Sequence, residues 1–133
     1  MEAIVLAGGR GSRLGKLTDD CPKPMLPIKG RPFLEYLFDY WRFKNVDHFI
    51  LAVNYKYKII MDHFGHQYYG AKISYSIEGI SMALEESIGL AKKYLGDTGT
   101  FIVMNGDTIF VNENRSYIDI GTPKGYKDAQ RLL

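Results

Sequence analysis

Near its start the chain carries an uninterrupted apolar run, Ala3-Ile4-Val5-Leu6-Ala7, that stops abruptly at Gly8-Gly9. A strand apolar at consecutive positions has no wet face, and such strands belong to parallel sheets covered by helices on both sides. The rest of the sequence supplies the helices. Pro32 suits the first position of a helix, with Phe33, Leu34, Leu37, Phe38 and Trp41 on one face. His48-Phe-Ile-Leu-Ala-Val53 reads as a second strand, and Ile59, Ile60, His63 and Phe64 as a short helix stopping at Gly65. Residues 72–77 alternate Ile73, Tyr75 and Ile77 with polar neighbours, which predicts an edge or half-exposed strand. Residues 81–95 read as a helix with Leu84, Ile88, Ala91 and Leu95 inward, Ser81 as its cap and Gly96 as its stop. Residues 100–104 read as another buried strand, 117–120 as a short one, and a last helix begins near Pro123. The order β-α-β-α-β-α-β-β-α predicts an α/β three-layer sandwich with a mainly parallel sheet.

Composition excludes several classes. At 133 residues, 46% hydrophobic and 24% charged, the chain suits one domain, 1–133, rather than a disordered or collagen-like polymer. A net charge of +2 is too mild for a nucleic-acid partner. No apolar run is long enough to cross a bilayer, and the first residues do not resemble a secretory signal, so no membrane role and a cytoplasmic location are expected. One cysteine, Cys21, forms no internal disulfide.

Chemistry in such folds gathers beyond the carboxyl ends of the strands. The first strand runs into Gly8-Gly9-Arg10-Gly11-Ser12-Arg13-Leu14-Gly15-Lys16. Glycines let backbone amides approach an anion, and residues 10–31 hold six cations against two acids, which suits a polyphosphate. This is not a P-loop, because Arg10 stands where the first glycine belongs and Leu17 where Ser or Thr does. Nor is it a dinucleotide fingerprint, since Leu14 replaces the third glycine. In Cys21-Pro22-Lys23-Pro24-Met25-Leu26-Pro27 the prolines are expected to hold the backbone extended and to aim Lys23. Asp107, after the strand at 100–104, is a natural hard ligand for Mg²⁺. Asp119, flanked by isoleucines, suits the same metal or a hydrogen-bonded turn before the last helix. His63 and His66 are read as packing or surface residues, with no third metal ligand beside them. Tyr55, Tyr57, Tyr68 and Tyr69 could face a partner, though nothing compels it.

Taken together, LAGGRGSRL, PKPMLPI, NGDT and YIDIGTP resemble the sugar-1-phosphate nucleotidyltransferase family, most strongly over residues 1–78 and 100–128. PFLEYLFDYW, NYKYKIIMDHFG and IDIGTPKGY look most like the bacterial heptose- or mannose-1-phosphate guanylyltransferases. The resemblance implies a Rossmann-like fold and a Mg²⁺-dependent enzyme that joins an NTP, GTP favoured, to a sugar 1-phosphate. It implies nucleotide contacts from Leu6, Ala7, Gly8, Gly9, Gly11, Ser12, Arg13 and Lys23, catalytic roles for Arg13 and Lys23, and metal ligation by Asp107 and Asp119. It also makes a homo-oligomer conceivable. Two other functions stay open: a non-catalytic nucleotide-binding module, or a cytidylyltransferase acting on a non-sugar phosphate.

The sequence departs from the family pattern twice. EGISMALEES stands where a Pro-x-Gly-Thr segment usually contacts the base. Only residues 111–115 stand where relatives carry roughly half a domain with most of the sugar contacts. So short a link permits only antiparallel pairing of the strands beside it, or none. Either the protein is a shortened relative with a weak or absent sugar site, or segments of a longer chain are missing near 80 and 111.

Overall fold

The computed structural model describes residues 1–9, 12–79, 82–96, 100–110 and 117–133. Its elements are β1 (Glu2–Ala7), β2 (Pro27–Ile28), β3 (Arg31–Pro32), α1 (Phe33–Phe43), β4 (His48–Val53), α2 (Tyr57–Phe64) and β5 (Gln67–Tyr68). There follow β6 (Ala71–Ile77), α3 (Leu84–Ala91), β7 (Phe101–Asn105), β8 (Thr108–Phe110), β9 (Tyr117–Asp119) and α4 (Pro123–Leu132). Three 3-10 segments, Ser12–Thr18, Lys23–Met25 and Lys92–Tyr94, lie between them.

The main sheet has the order β5-β6-β4-β1-β7, all parallel except the two-residue β5. Along β1 the apolar run divides by parity, as strand geometry requires. Ala3, Val5 and Ala7 join the large cluster built with α1, α2 and Ala129 of α4. Ile4 and Leu6 face the other way, into a smaller cluster with Ile50, Ile88 and Ala91. Two cores on opposite faces of one parallel sheet make the three-layer sandwich that the element order predicts. On the larger side Phe38 is fully buried, with ring centroids of Phe49, Phe64 and Tyr68 at 4.5, 5.0 and 5.4 Å. At the amino ends of the strands the Glu2 carboxylate accepts the Gly96 amide and meets His48 Nδ1 at 2.6 Å, while His48 Nε2 meets Ser74 Oγ at 2.8 Å. Among the described residues, no helix is long and apolar enough to cross a membrane.

Four expectations need correction. α3 begins at Leu84 behind Ala83, while the expected cap Ser81 lies outside the described residues. Leu84 itself is 60% exposed, while Ala91 is buried as expected, Ser87 is buried beside it, and Ile88 and Leu95 pack against the same cluster. β7 is an edge strand, and Val103 is 41% exposed, because among the described residues only β1 pairs with it. The prolines around Lys23 do not hold one extended stretch: Pro22 is extended, but Pro24 sits in a 3-10 turn closed by Met25 N–H to the Pro22 carbonyl at 2.9 Å. The short link behaves as geometry demands, since β8 and β9 pair antiparallel with Phe110 opposite Tyr117.

Phe38→Ala is expected to cost about 3–5 kcal/mol in urea unfolding followed by far-UV circular dichroism. Burial pushes the Tyr75 hydroxyl, which donates to the Gly65 carbonyl, up to about 12. An unfolded tyrosine ionises near pH 10, so this contribution is intact below about pH 10 and fades as pH climbs toward the folded value. Melting temperature should therefore fall between about pH 10 and 12 in wild type, and fall less in Tyr75→Phe.

Candidate nucleotide-binding and metal site

The crossovers from β1 to β4 and from β4 to β6 step outward on one side of β1, and the crossover to β7 returns to the other side. That reversal leaves a crevice at the carboxyl ends of the strands, where open α/β sheets bind ligands. Two adjoining clefts occupy it and share Leu6, Gly9 and Asn105.

One cleft, of about 360 Å³, is lined by Ala7, Gly9, Arg13, Lys23, Asp107 and Asp119. Gly106 brings Asp107 there: its amide donates to the Leu6 carbonyl at 2.8 Å, and a side chain would come within 3.1 Å of that same oxygen. The Asp107 carbonyl then accepts the Ile120 amide at 2.8 Å, and its Oδ1 accepts the Thr108 hydroxyl at 2.9 Å. Lys23, carried on the proline turn, places Nζ 2.8 Å from Asp107 Oδ2. Both side chains are mostly buried, at 15% and 18% exposed, so losing either partner would leave the other's charge uncompensated away from water.

Asp119 reaches the same point through the hairpin, opposite Thr108 in the β8–β9 ladder. Its Oδ1 accepts the Gly121 amide at 2.7 Å. A side chain on Gly121 would begin 2.8 Å from Asp119 Oδ1, 2.9 Å from Asp107 Oδ2 and 3.2 Å from Lys23 Nζ. Two carboxylates and an ammonium thus close on one small cradle that only glycine leaves open. Gly125 lets α4 pack directly on this corner, because a Cβ there would collide with the Asp119 carbonyl. Thr122 caps α4 by accepting the Gly125 amide at 3.1 Å.

The second cleft, of about 290 Å³, is lined by Gly8, Ala52, Asn54, Glu78, Met82, Leu84 and Ser87. The sequence reading missed Asn54, Glu78 and Ser87. Glu78 carries the signal that marked Asp107, an acid directly after a strand. Burial raises the Cys21 thiol above its usual value, with Asp20 adding to the effect, so Cys21 stays a protonated packing residue. His63 meets Glu35 at 2.8 Å while His66 lies edge-on to Tyr75, and no cluster of three metal-binding side chains occurs among the described residues. The Tyr55 hydroxyl donates to the Thr18 carbonyl at 2.9 Å, tying the end of the glycine-rich segment to the exit of β4. Tyr57 and Tyr68 pack on the core, and Tyr69 is exposed.

Of the residues expected to bind nucleotide or metal, Leu6, Ala7, Gly9, Arg13, Lys23, Asp107 and Asp119 all line the first cleft, and Gly8 lines the second. Gly11 and the Ser12 side chain lie outside the described residues.

Residues 2–128 match the family model described as nucleotidyl transferase. The chain belongs to that family. Within it, the chain is 42% identical over 114 residues to the D-glycero-alpha-D-manno-heptose 1-phosphate guanylyltransferase of Campylobacter jejuni, covering 83% of this chain and 49% of that protein. It is 38% identical over 119 residues to the enzyme of the same name from Aneurinibacillus thermoaerophilus, covering 90% and 51%. The crystal structure of HddC from Yersinia pseudotuberculosis, complexed with GMP-PN, superposes with a TM-score of 0.70 at 37% identity, covering 80% of this chain and 48% of that one. The chain therefore spans about half the length of the curated relatives it matches.

Lys23→Met removes the cation paired with Asp107, and is expected to cost about 1–3 kcal/mol in urea unfolding. An unchanged midpoint would show that the ion pair adds nothing to stability.

Proposed function

We propose that the protein transfers a guanylyl group from GTP to a sugar 1-phosphate of the heptose or mannose class, releasing pyrophosphate, with Mg²⁺ as cofactor. One observation carries the reading: a glycine-lined strand end, Arg13, Lys23, Asp107 and Asp119 share one cleft. The names of the relatives support the choice of base and acceptor.

In this reading a sugar-phosphate oxygen attacks the α-phosphorus, the bond from that phosphorus to the bridging oxygen breaks, and pyrophosphate leaves. No protein nucleophile is needed, so the side chains act by positioning and by neutralising charge. Backbone amides at Gly8 and Gly9 approach the nucleotide without steric cost. Arg13 balances charge on the departing pyrophosphate. Lys23, whose Nζ lies 4.0 Å from where a side chain on Gly9 would begin, spans the α-phosphate and the incoming sugar phosphate. The two carboxylates around the Gly121 cradle are a hard oxygen set of the kind Mg²⁺ takes alongside phosphate oxygens and water. When bound, Mg²⁺ would neutralise and polarise the α-phosphate.

Pyrophosphate release with a panel of NTPs and phosphorylated acceptors tests this. Release with GTP and a sugar 1-phosphate, abolished by EDTA and restored by Mg²⁺, is expected. NTP binding without turnover on any acceptor would replace it with a binding module. Turnover only with CTP and polyol- or choline-type phosphates would replace it with a cytidylyltransferase. Arg13→Ala and Asp107→Asn should each lower kcat by about 10²-fold or more while folding normally; wild-type turnover in either removes that residue from the chemistry.

A further inference from the structure

The Lys23 ammonium stands where a metal held by Asp107 and Asp119 needs room. Its Nζ lies 2.8 Å from Asp107 Oδ2. That oxygen faces the bare Gly121 cradle, 2.9 Å from where a side chain there would begin, and Lys23 Nζ lies 3.2 Å from the same point. The other Asp107 oxygen, Oδ1, accepts the Thr108 hydroxyl at 2.9 Å. The lysine therefore occupies the oxygen that Asp107 turns toward the cradle. Its backbone is anchored. The Met25 and Leu26 amides close the turn on the Pro22 and Lys23 carbonyls, at 2.9 and 3.1 Å. From α4 the Tyr126 hydroxyl and Gln130 Nε2 donate to the Pro27 carbonyl at 2.8 and 3.0 Å. Only the flexible four-carbon stem is left to move the charge. Nζ also lies 4.0 Å from where a side chain on Gly9 would begin, so a short swing carries it from the cradle to the glycine strand end.

A divalent cation and an ammonium do not share one carboxylate oxygen at such distances. Mg²⁺ takes oxygen ligands at about 2.0–2.1 Å in near-octahedral order and tolerates little distortion. The ammonium would stand against it as a like charge in a cleft partly withdrawn from water, where repulsion is screened less than at a surface. One of the two has to leave. We infer that Lys23 is a placeholder in the metal cradle: it closes Asp107 to a bare divalent cation, and yields it when a polyphosphate at the glycine strand end gives the ammonium a second anionic partner. This rests on the nucleotide and metal site proposed above and deepens it. Metal and triphosphate then bind with positive coupling, and the coupling runs through one side chain. An ion pair that only aimed Asp107 at the cradle would act in the opposite sense, because removing the lysine would then weaken metal binding.

Titration with Mn²⁺ in the absence of nucleotide, reading free Mn²⁺ by electron paramagnetic resonance, separates the two. Lys23→Met should bind Mn²⁺ about tenfold or more tightly than wild type. Adding Asp107→Asn to Lys23→Met should abolish that gain. Lys23→Met affinity equal to or weaker than wild type, no binding by either protein, or a gain that survives Asp107→Asn overturns the inference. In each of those cases pyrophosphate release from GTP decides the wider reading on its own: release that EDTA abolishes leaves guanylyl transfer standing, and no release removes it as well. If Lys23→Met lacks a cooperative melt, acetic anhydride labelling of wild type, read by peptide mass spectrometry, decides instead. Rising Mn²⁺ should speed acetylation of Lys23 severalfold relative to the exposed lysines, as its ammonium leaves Asp107. An unchanged relative rate overturns the inference.

Discussion

β1 is paired in register on both edges, to β4 from Glu2 through Ala7 and to β7 from Glu2 through Leu6. A strand so enclosed satisfies nearly all its backbone groups within the sheet, and it can stop only where the sheet stops. Its exit is therefore a fixed point. Gly8 and Gly9 leave it with a known direction, β4 delivers Asn54 beside them and β7 delivers Asp107. The helices follow, since an apolar strand with neighbours on both edges needs cover on both faces. Remove the pairing to either side and the two clefts lose their common wall at Leu6, Gly9 and Asn105.

The site divides its labour along that wall. On the β7 side stand the charges: a lysine on a proline turn and two acids that meet around a bare glycine. On the β4 and β6 side the lining is apolar, with a single enclosed carboxylate. A nucleoside triphosphate has the same division, a charged tail and a flat polar ring. The physical case for a nucleotide ligand lies in this match between neighbouring clefts more than in any one side chain.

Much of this was legible in the chain, and the failures share a cause. β1 and β4 are recognisable because a strand buried on both faces has an unbroken apolar sequence. Residues 100–104 have the same composition, but whether a strand lies inside a sheet or at its edge depends on what pairs with it, which composition does not encode. Leu84 fits an inward helical stripe by spacing, and its partners Ile88, Ala91 and Leu95 do pack on the sheet, yet Leu84 at the helix start is left to the cleft. The prolines near Lys23 restrict φ, which both extended and 3-10 backbone satisfy, so stiffness was legible and shape was not. Arg13, Lys23, Asp107 and Asp119 stood out because glycine or proline flanks or lies close to each of them. Glu78 follows an ordinary alternating strand, and its burial arises only when β6 pairs with β4.

The hairpin of β8 and β9 sets where chains of this architecture can differ in length. Phe110 and Tyr117 are register partners, so whatever joins them leaves and returns at adjacent positions. Closing a longer excursion between two ends already held together adds only a slowly growing entropic term, about 0.6 kcal/mol per doubling of length. The carboxylates at the foot of the hairpin are held by the ladder and by the corner on which α4 packs. The fold thus has a splice point: segments of different size can be exchanged there while the two clefts stay in place.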